Sequence, residues 1–258
     1  MISPTLLALA IALLLAGLAL LEAAGWRAAD ARLRRYSAPV AWLAAGLILL
    51  YLIWLGVERR HIPPAGPDEA LAVYAWLGLL GFLWLRSDSR AGVGLMSLGL
   101  VGLTLVFGAG LGFSRGDPIY LGQEPLWPGI VSARWLILAG LAGLYWLALL
   151  AALSWWSEKR PHLRETLRLP PEPAAVLTQR LQPLVTLLLF FGGLLLSLSA
   201  PFVAGNPANP GLLAMALFLL TLAAGWLRFT APYRRWWAWA LTIFTFIASL
   251  PLLTLMAA

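Results

Sequence analysis

An all-α polytopic integral membrane protein, a bundle of about eight transmembrane helices, is the fold class this sequence predicts. Three observations carry it. Hydrophobic residues make up 61% of the 258 positions and charged residues only 11%, against about 25% charge in soluble domains. The apolar residues gather into eight runs, each near or above the ~20 residues that cross a bilayer. The basic residues are distributed unevenly between alternate loops, as the positive-inside rule requires of a membrane protein.

The runs fall at roughly 4–25, 38–57, 69–86, 92–112, 130–156, 182–204, 211–228 and 236–257, read as one transmembrane domain over the whole chain. Met1-Ile2-Ser3-Pro4 lacks the basic n-region of a signal peptide, and the apolar run to Gly25 is long enough to span, so it is read as the first helix. The second run ends before Arg59-Arg60-His61-Ile62-Pro63-Pro64, where proline rules out a helix interior. The third opens on Asp68 and Glu69, acids where the helix macrodipole favours them. The fourth carries Gly108 and Gly112, a G-x-x-x-G that predicts close packing inside the bundle. The fifth ends in a long basic, proline-bearing loop from about Ser157 to Arg180, read as a solvated loop or as a docking face for anionic lipid or a partner. The sixth and seventh flank Asn206-Pro207-Ala208-Asn209-Pro210, and the eighth begins at Trp236-Trp237. Tryptophans near many helix ends suit an interfacial belt.

Fourteen of the 18 basic residues lie in odd-numbered loops, among them Arg27, Arg32, Arg34, Arg35, Arg86, Arg90 and Lys159. The expectation is that odd loops face the cytoplasm and both termini lie outside, which places His61 outside and His162 inside. The net charge of +7 thereby serves topology and asks for no nucleic acid; the partners expected are the lipid bilayer and other membrane subunits. With no cysteine, disulfides and thiolate chemistry are excluded. Glu22, Asp68, Glu69, Arg134 and Arg228 stand at segment ends, where long side chains can snorkel, and no run carries an ionisable residue near its middle. That argues against a proton pump and against most ion-coupled transporters. Hydrolytic chemistry on the outer face would have to use His61, and no serine is spaced to serve it, so no enzyme is expected.

His61 to Trp76 admits two readings: a helix start after a short loop, or a membrane-surface histidine poised for a ligand. His61 is followed by Pro63 at +2, Glu69 at +8 and Ala75-Trp76 at +14 and +15. With those offsets the stretch resembles the cytochrome c assembly protein family, haem-handling membrane proteins of the CcsA, CcmC and HemX types. Ser132-Ala133-Arg134-Trp135-Leu136-Ile137 is similar to the family's Trp-Leu-x-Ile-His segment, with Ala139 where its histidine would fall. The tryptophan-rich haem loop is replaced by Gly205-Asn206-Pro207-Ala208-Asn209-Pro210, and the Leu-His-Leu-Arg ending by Gly225-Trp226-Leu227-Arg228. Arg60, Gly66 and Asp68 replace the usual glycine, asparagine and aromatic.

The resemblance implies a haem-assembly-like fold from about residue 40 to 245, in a bacterial-type inner membrane, with His61 the one candidate haem ligand. A six-coordinate haem takes two axial ligands, and the outer side offers one histidine. No haem is therefore expected in the isolated chain, and haem binding would need a partner. The expected role is a non-catalytic subunit or assembly factor in a respiratory or electron-transfer membrane complex. An active haem-handling protein of cytochrome c maturation is the alternative, and a small-molecule transporter has least support.

Overall fold

The computed structural model describes residues 4–27, 31–64, 66–87, 93–113, 128–159, 173–199, 210–230 and 235–257. Eight α-helices account for almost all of them: α1 (Pro4–Arg27), α2 (Ala31–Arg59), α3 (Pro67–Ser87), α4 (Val93–Phe113), α5 (Pro128–Lys159), α6 (Pro173–Ser199), α7 (Pro210–Thr230) and α8 (Arg235–Ala257). Seven are long and apolar enough to cross a membrane, and α4 adds a shorter apolar stretch, Met96–Gly112. The chain is an all-α polytopic membrane protein.

Helix α1 shows why lipid, not water, surrounds it. Ala8, Ile11, Leu15 and Leu18 lie on its buried face, while Leu6, Leu9, Leu13 and Leu20 are exposed on the other. Both faces are apolar, the pattern of a helix with hydrocarbon on its outside. The helices run past the apolar stretches. Helix α2 begins seven residues before the expected 38 and keeps Pro39 inside it; α6 begins at Pro173, not 182, and encloses Pro183. Hydropathy marks where the hydrocarbon ends, whereas a helix can continue through the interface into water.

Helices α1 to α4 pack around a ring, each against its chain neighbours and α1 against α4; α5 to α8 repeat the arrangement. The rings join where α3 meets α5 and α8. The joint is a slot for two aromatic side chains of α5. Trp146 is fully buried, donates its Nε1–H to the Gly78 carbonyl at 2.9 Å, and lies against Gly81 and Gly99; Tyr145 donates its hydroxyl to the Gly99 carbonyl at 2.8 Å. On the other side of α5, Gly140 and Gly143 receive Leu189 and Val185 of α6, and Gly192 receives Ile137. Small residues let the backbones approach where no hydrophobic effect drives helices together.

The G-x-x-x-G expectation is corrected: Gly108 and Gly112 are exposed, with nothing within 4 Å of a β-carbon on either. The snorkelling expectation also fails for most of its residues. Glu22, Asp68, Glu69 and Arg134 are buried. Glu22, which continues the inward stripe of α1, accepts hydrogen bonds from Ser37 of α2 and Arg86 of α3. Three helices are thus tied at one end of the first ring by a paired charge, the condition under which a buried carboxylate is tolerated.

Because the chain has no cysteine, single cysteines report sidedness without background. Ser89→Cys and Ala208→Cys are expected to react with a membrane-impermeant maleimide from opposite faces, Ala208→Cys from outside. Labelling of both from one face would refute the orientation.

Candidate functional site

The turn between α2 and α3 gathers the densest set of charges among the described residues. Its shape follows from the end of α2. Arg60 adopts φ 55°, and the His61 N–H donates to the Gly56 carbonyl at 3.1 Å. This six-residue closure with a left-handed residue before its donor is the Schellman arrangement that satisfies helix-end carbonyls. Gly56 permits it, because a β-carbon there would stand 2.9 Å from the His61 carbonyl oxygen and 3.0 Å from Pro63. The turn folds back on α2 and delivers His61 beside the start of α3. There Gly66 caps the helix, its carbonyl accepting from the Ala70 N–H at 2.9 Å. Left-handed backbone costs a residue with a β-carbon roughly 1 kcal/mol. Arg60→Gly is therefore expected to stabilise the protein by about 0.5–1 kcal/mol, read as a raised midpoint of denaturation; a lowered midpoint would mean that the Arg60 side chain has a role of its own.

Asp68 and Glu69 sit in the first turn of α3, as expected, but point inward. Arg59 clamps both: Nη2 reaches Asp68 Oδ2 at 2.7 Å, and Nη1 reaches Asp68 Oδ1 at 3.1 Å and Glu69 Oε1 at 3.0 Å. The His61 ring lies over Glu69, with Nε2 at 2.8 and 2.9 Å from the two carboxylate oxygens, and Nδ1 at 3.2 Å from the Arg59 carbonyl oxygen. Nδ1 thus faces a carbonyl oxygen and Nε2 a carboxylate, so each ring nitrogen is directed at an oxygen within hydrogen-bond reach. Glu69 is wholly buried. Its ion pair with Arg59 and its contact with the His61 ring offset the cost of removing it from water.

A third helix closes the site. Arg134 Nη1 donates to the Pro64 carbonyl at 3.2 Å and Trp135 Nε1 to the Pro63 carbonyl at 2.8 Å, so α5 holds the proline turn by its backbone. Trp135 also meets Trp76 edge-on at 6.1 Å, and Trp76 donates to the Ala45 carbonyl of α2 at 3.0 Å. His61, Glu69, Trp76, Arg134 and Trp135 therefore come together from separate stretches.

The ligand expectation for His61 meets a geometric obstacle. A nitrogen that binds iron must present a lone pair outward, and here both ring nitrogens are turned to oxygen acceptors. Ligation would require the ring to leave Glu69. Among the described residues, no three His, Asp or Glu side chains converge as a metal site. Residues 205–209 of the loop and His162 lie outside the described residues. Ala139 and Trp226 occupy the other positions where the resemblance would place histidines; Trp226 is exposed on α7. Sequence reasoning missed Arg59 as the clamp and Arg134 with Trp135 as donors to the turn. The spacing of Arg59 from the two acids across a proline turn was the available signal for the first; nothing local signals the second.

A partly exposed turn ion-paired to two buried carboxylates, at one end of an all-α polytopic membrane protein, is the class that fold and site together define. No family model matches the chain, nor does any curated protein or solved structure.

Proposed function

We propose that the chain is a non-catalytic integral membrane subunit or assembly factor with a haem-assembly-like fold, working within a respiratory or electron-transfer complex of a bacterial-type inner membrane, both termini outside. The observation that carries this reading is the closure of the His61 site. Each ionisable group that could act as base or ligand is engaged: His61 with Glu69 and the Arg59 carbonyl, and both carboxylates with Arg59. Such a network ties the end of α2 to the start of α3, and the Arg134 and Trp135 bonds add α5, which supports a structural role for the site. Two further observations support the reading. The stretches on which the resemblance rests, 61–76 and 132–137, lie against each other through Pro63, Pro64, Arg134 and Trp135. Gly108 and Gly112 turn a close-approach surface outward on α4, where a neighbouring helix of a partner would fit.

Extraction from native membranes in a mild detergent, followed by gel filtration and mass spectrometry, tests it. The expected result is co-elution with membrane partners at fixed stoichiometry. Elution as a lone chain that carries haem and loses it in His61→Ala would replace this reading with active haem handling.

A further inference from the structure

At the end of the bundle opposite His61, α2 and α3 part to form an open groove of about 440 Å³ lined by Ala38, Trp42, Leu80, Leu83, Trp84 and Arg86. Its volume falls within the roughly 300–1,000 Å³ of small-ligand sites. The walls are aliphatic and aromatic. Trp42 is 62% and Trp84 43% exposed, so two indoles flank the opening on facing helices. Arg86 closes one end, its guanidinium held in place by Glu22. Arg35, exposed, precedes Ala38 by three residues and Trp42 by seven, so it stands above them on the same face of α2. Along α3 the lining runs Leu80, Leu83, Trp84 and Arg86, and along α2 Trp42 and Ala38 lead to Arg35, so an apolar, indole-flanked body ends in a cationic head.

We infer that this groove binds one anionic phospholipid, its phosphate at Arg35 and Arg86 and one acyl chain along Leu80, Leu83 and Ala38. Charge complementarity selects that occupant. Glu22 neutralises Arg86, and Arg35 leaves the head of the groove with excess positive charge. The charge asymmetry of the loops assigns this end to the cytoplasmic leaflet, where anionic lipids concentrate. Interfacial tryptophans alone would account for Trp42 and Trp84 as a belt; the concave groove between them and the cationic head above it add selectivity for one lipid charge.

Native mass spectrometry of the detergent-purified full chain tests the assignment, with dioleoyl phosphatidylglycerol and dioleoyl phosphatidylcholine added in equal amounts. The expected result is retention of one phosphatidylglycerol in preference to phosphatidylcholine. Arg35→Gln is expected to lower that retention about two- to fivefold, the worth of one solvent-exposed charge contact, and to leave phosphatidylcholine unchanged. Ala38→Leu, which narrows the groove without touching a charge, should lower it as well. Both positions lie outside the Ser37–Glu22–Arg86 bonds, and an unshifted thermal melt confirms that each variant is folded. Equal retention of the two lipids by the wild type would overturn the inference, as would a phosphatidylglycerol preference that survives both folded variants.

Discussion

Glu69→Ala is expected to destabilise the protein by about 3–5 kcal/mol, the usual consequence of removing one partner from a buried ion pair. Glu69 has no exposed surface, and it is the group on which Arg59 and His61 converge. Without it, Asp68 alone faces Arg59, and His61 keeps only a long contact to a carbonyl. The effect should be lopsided across the network. The His61 side chain is 16% exposed, and its removal leaves Arg59 still paired to both acids, so His61→Ala should cost about 1 kcal/mol, the net worth of an ordinary hydrogen bond. A double-mutant cycle between the positions isolates their coupling, with stability read by denaturant or SDS titration in micelles. If His61→Ala cost as much as Glu69→Ala, the carboxylate would not be the centre of the network.

The second large effect is expected where the two rings join. A β-carbon at Gly99 would overlap the buried Trp146 ring, and one at Gly81 would stand 2.8 Å from its Nε1. Trp146 has little room to retreat, since its Nε1–H is committed to Gly78 and Tyr145 packs edge-on against it at 5.5 Å. Gly99→Ala should therefore cost about 1–3 kcal/mol, the range for overpacking a filled interior. Pairing it with Trp146→Phe should recover part of that loss, because the smaller ring vacates the colliding edge. The same substitution at Gly108, which has open space around it, should be close to neutral in the isolated protein. Equal costs at the two glycines would contradict the slot.

These two sites show what is legible in such a sequence and what is not. The helices are, because an apolar run of spanning length has few alternatives in a bilayer, and the structure places a helix on each of the eight runs. The acids at the start of α3 are also legible, through proline, helix start and dipole. Which glycines face which partner is not: G-x-x-x-G singled out Gly108 and Gly112, which face outward, while Gly78, Gly81 and Gly99 form the slot. Small-residue spacing describes one helix surface, and the slot is a property of three helices. Glu22 was more accessible. It falls in step with Ala8, Ile11, Leu15 and Leu18, so helical spacing alone places it inward; proximity to a segment end suggested snorkelling instead. Arg134 and Trp135 hold the turn across about 70 residues of chain, a distance over which local pattern says nothing.

We propose that His61 is held as a peripheral member of the Glu69-centred network and is not an open haem ligand. A haemin titration of the purified chain tests it most directly. Excess haemin is removed, and the Soret region is recorded in oxidised and reduced states for the wild type and His61→Ala. The expected result is no stoichiometric Soret band in either protein. A sharp band at one haem per wild-type chain that vanishes in a folded His61→Ala protein would contradict the account.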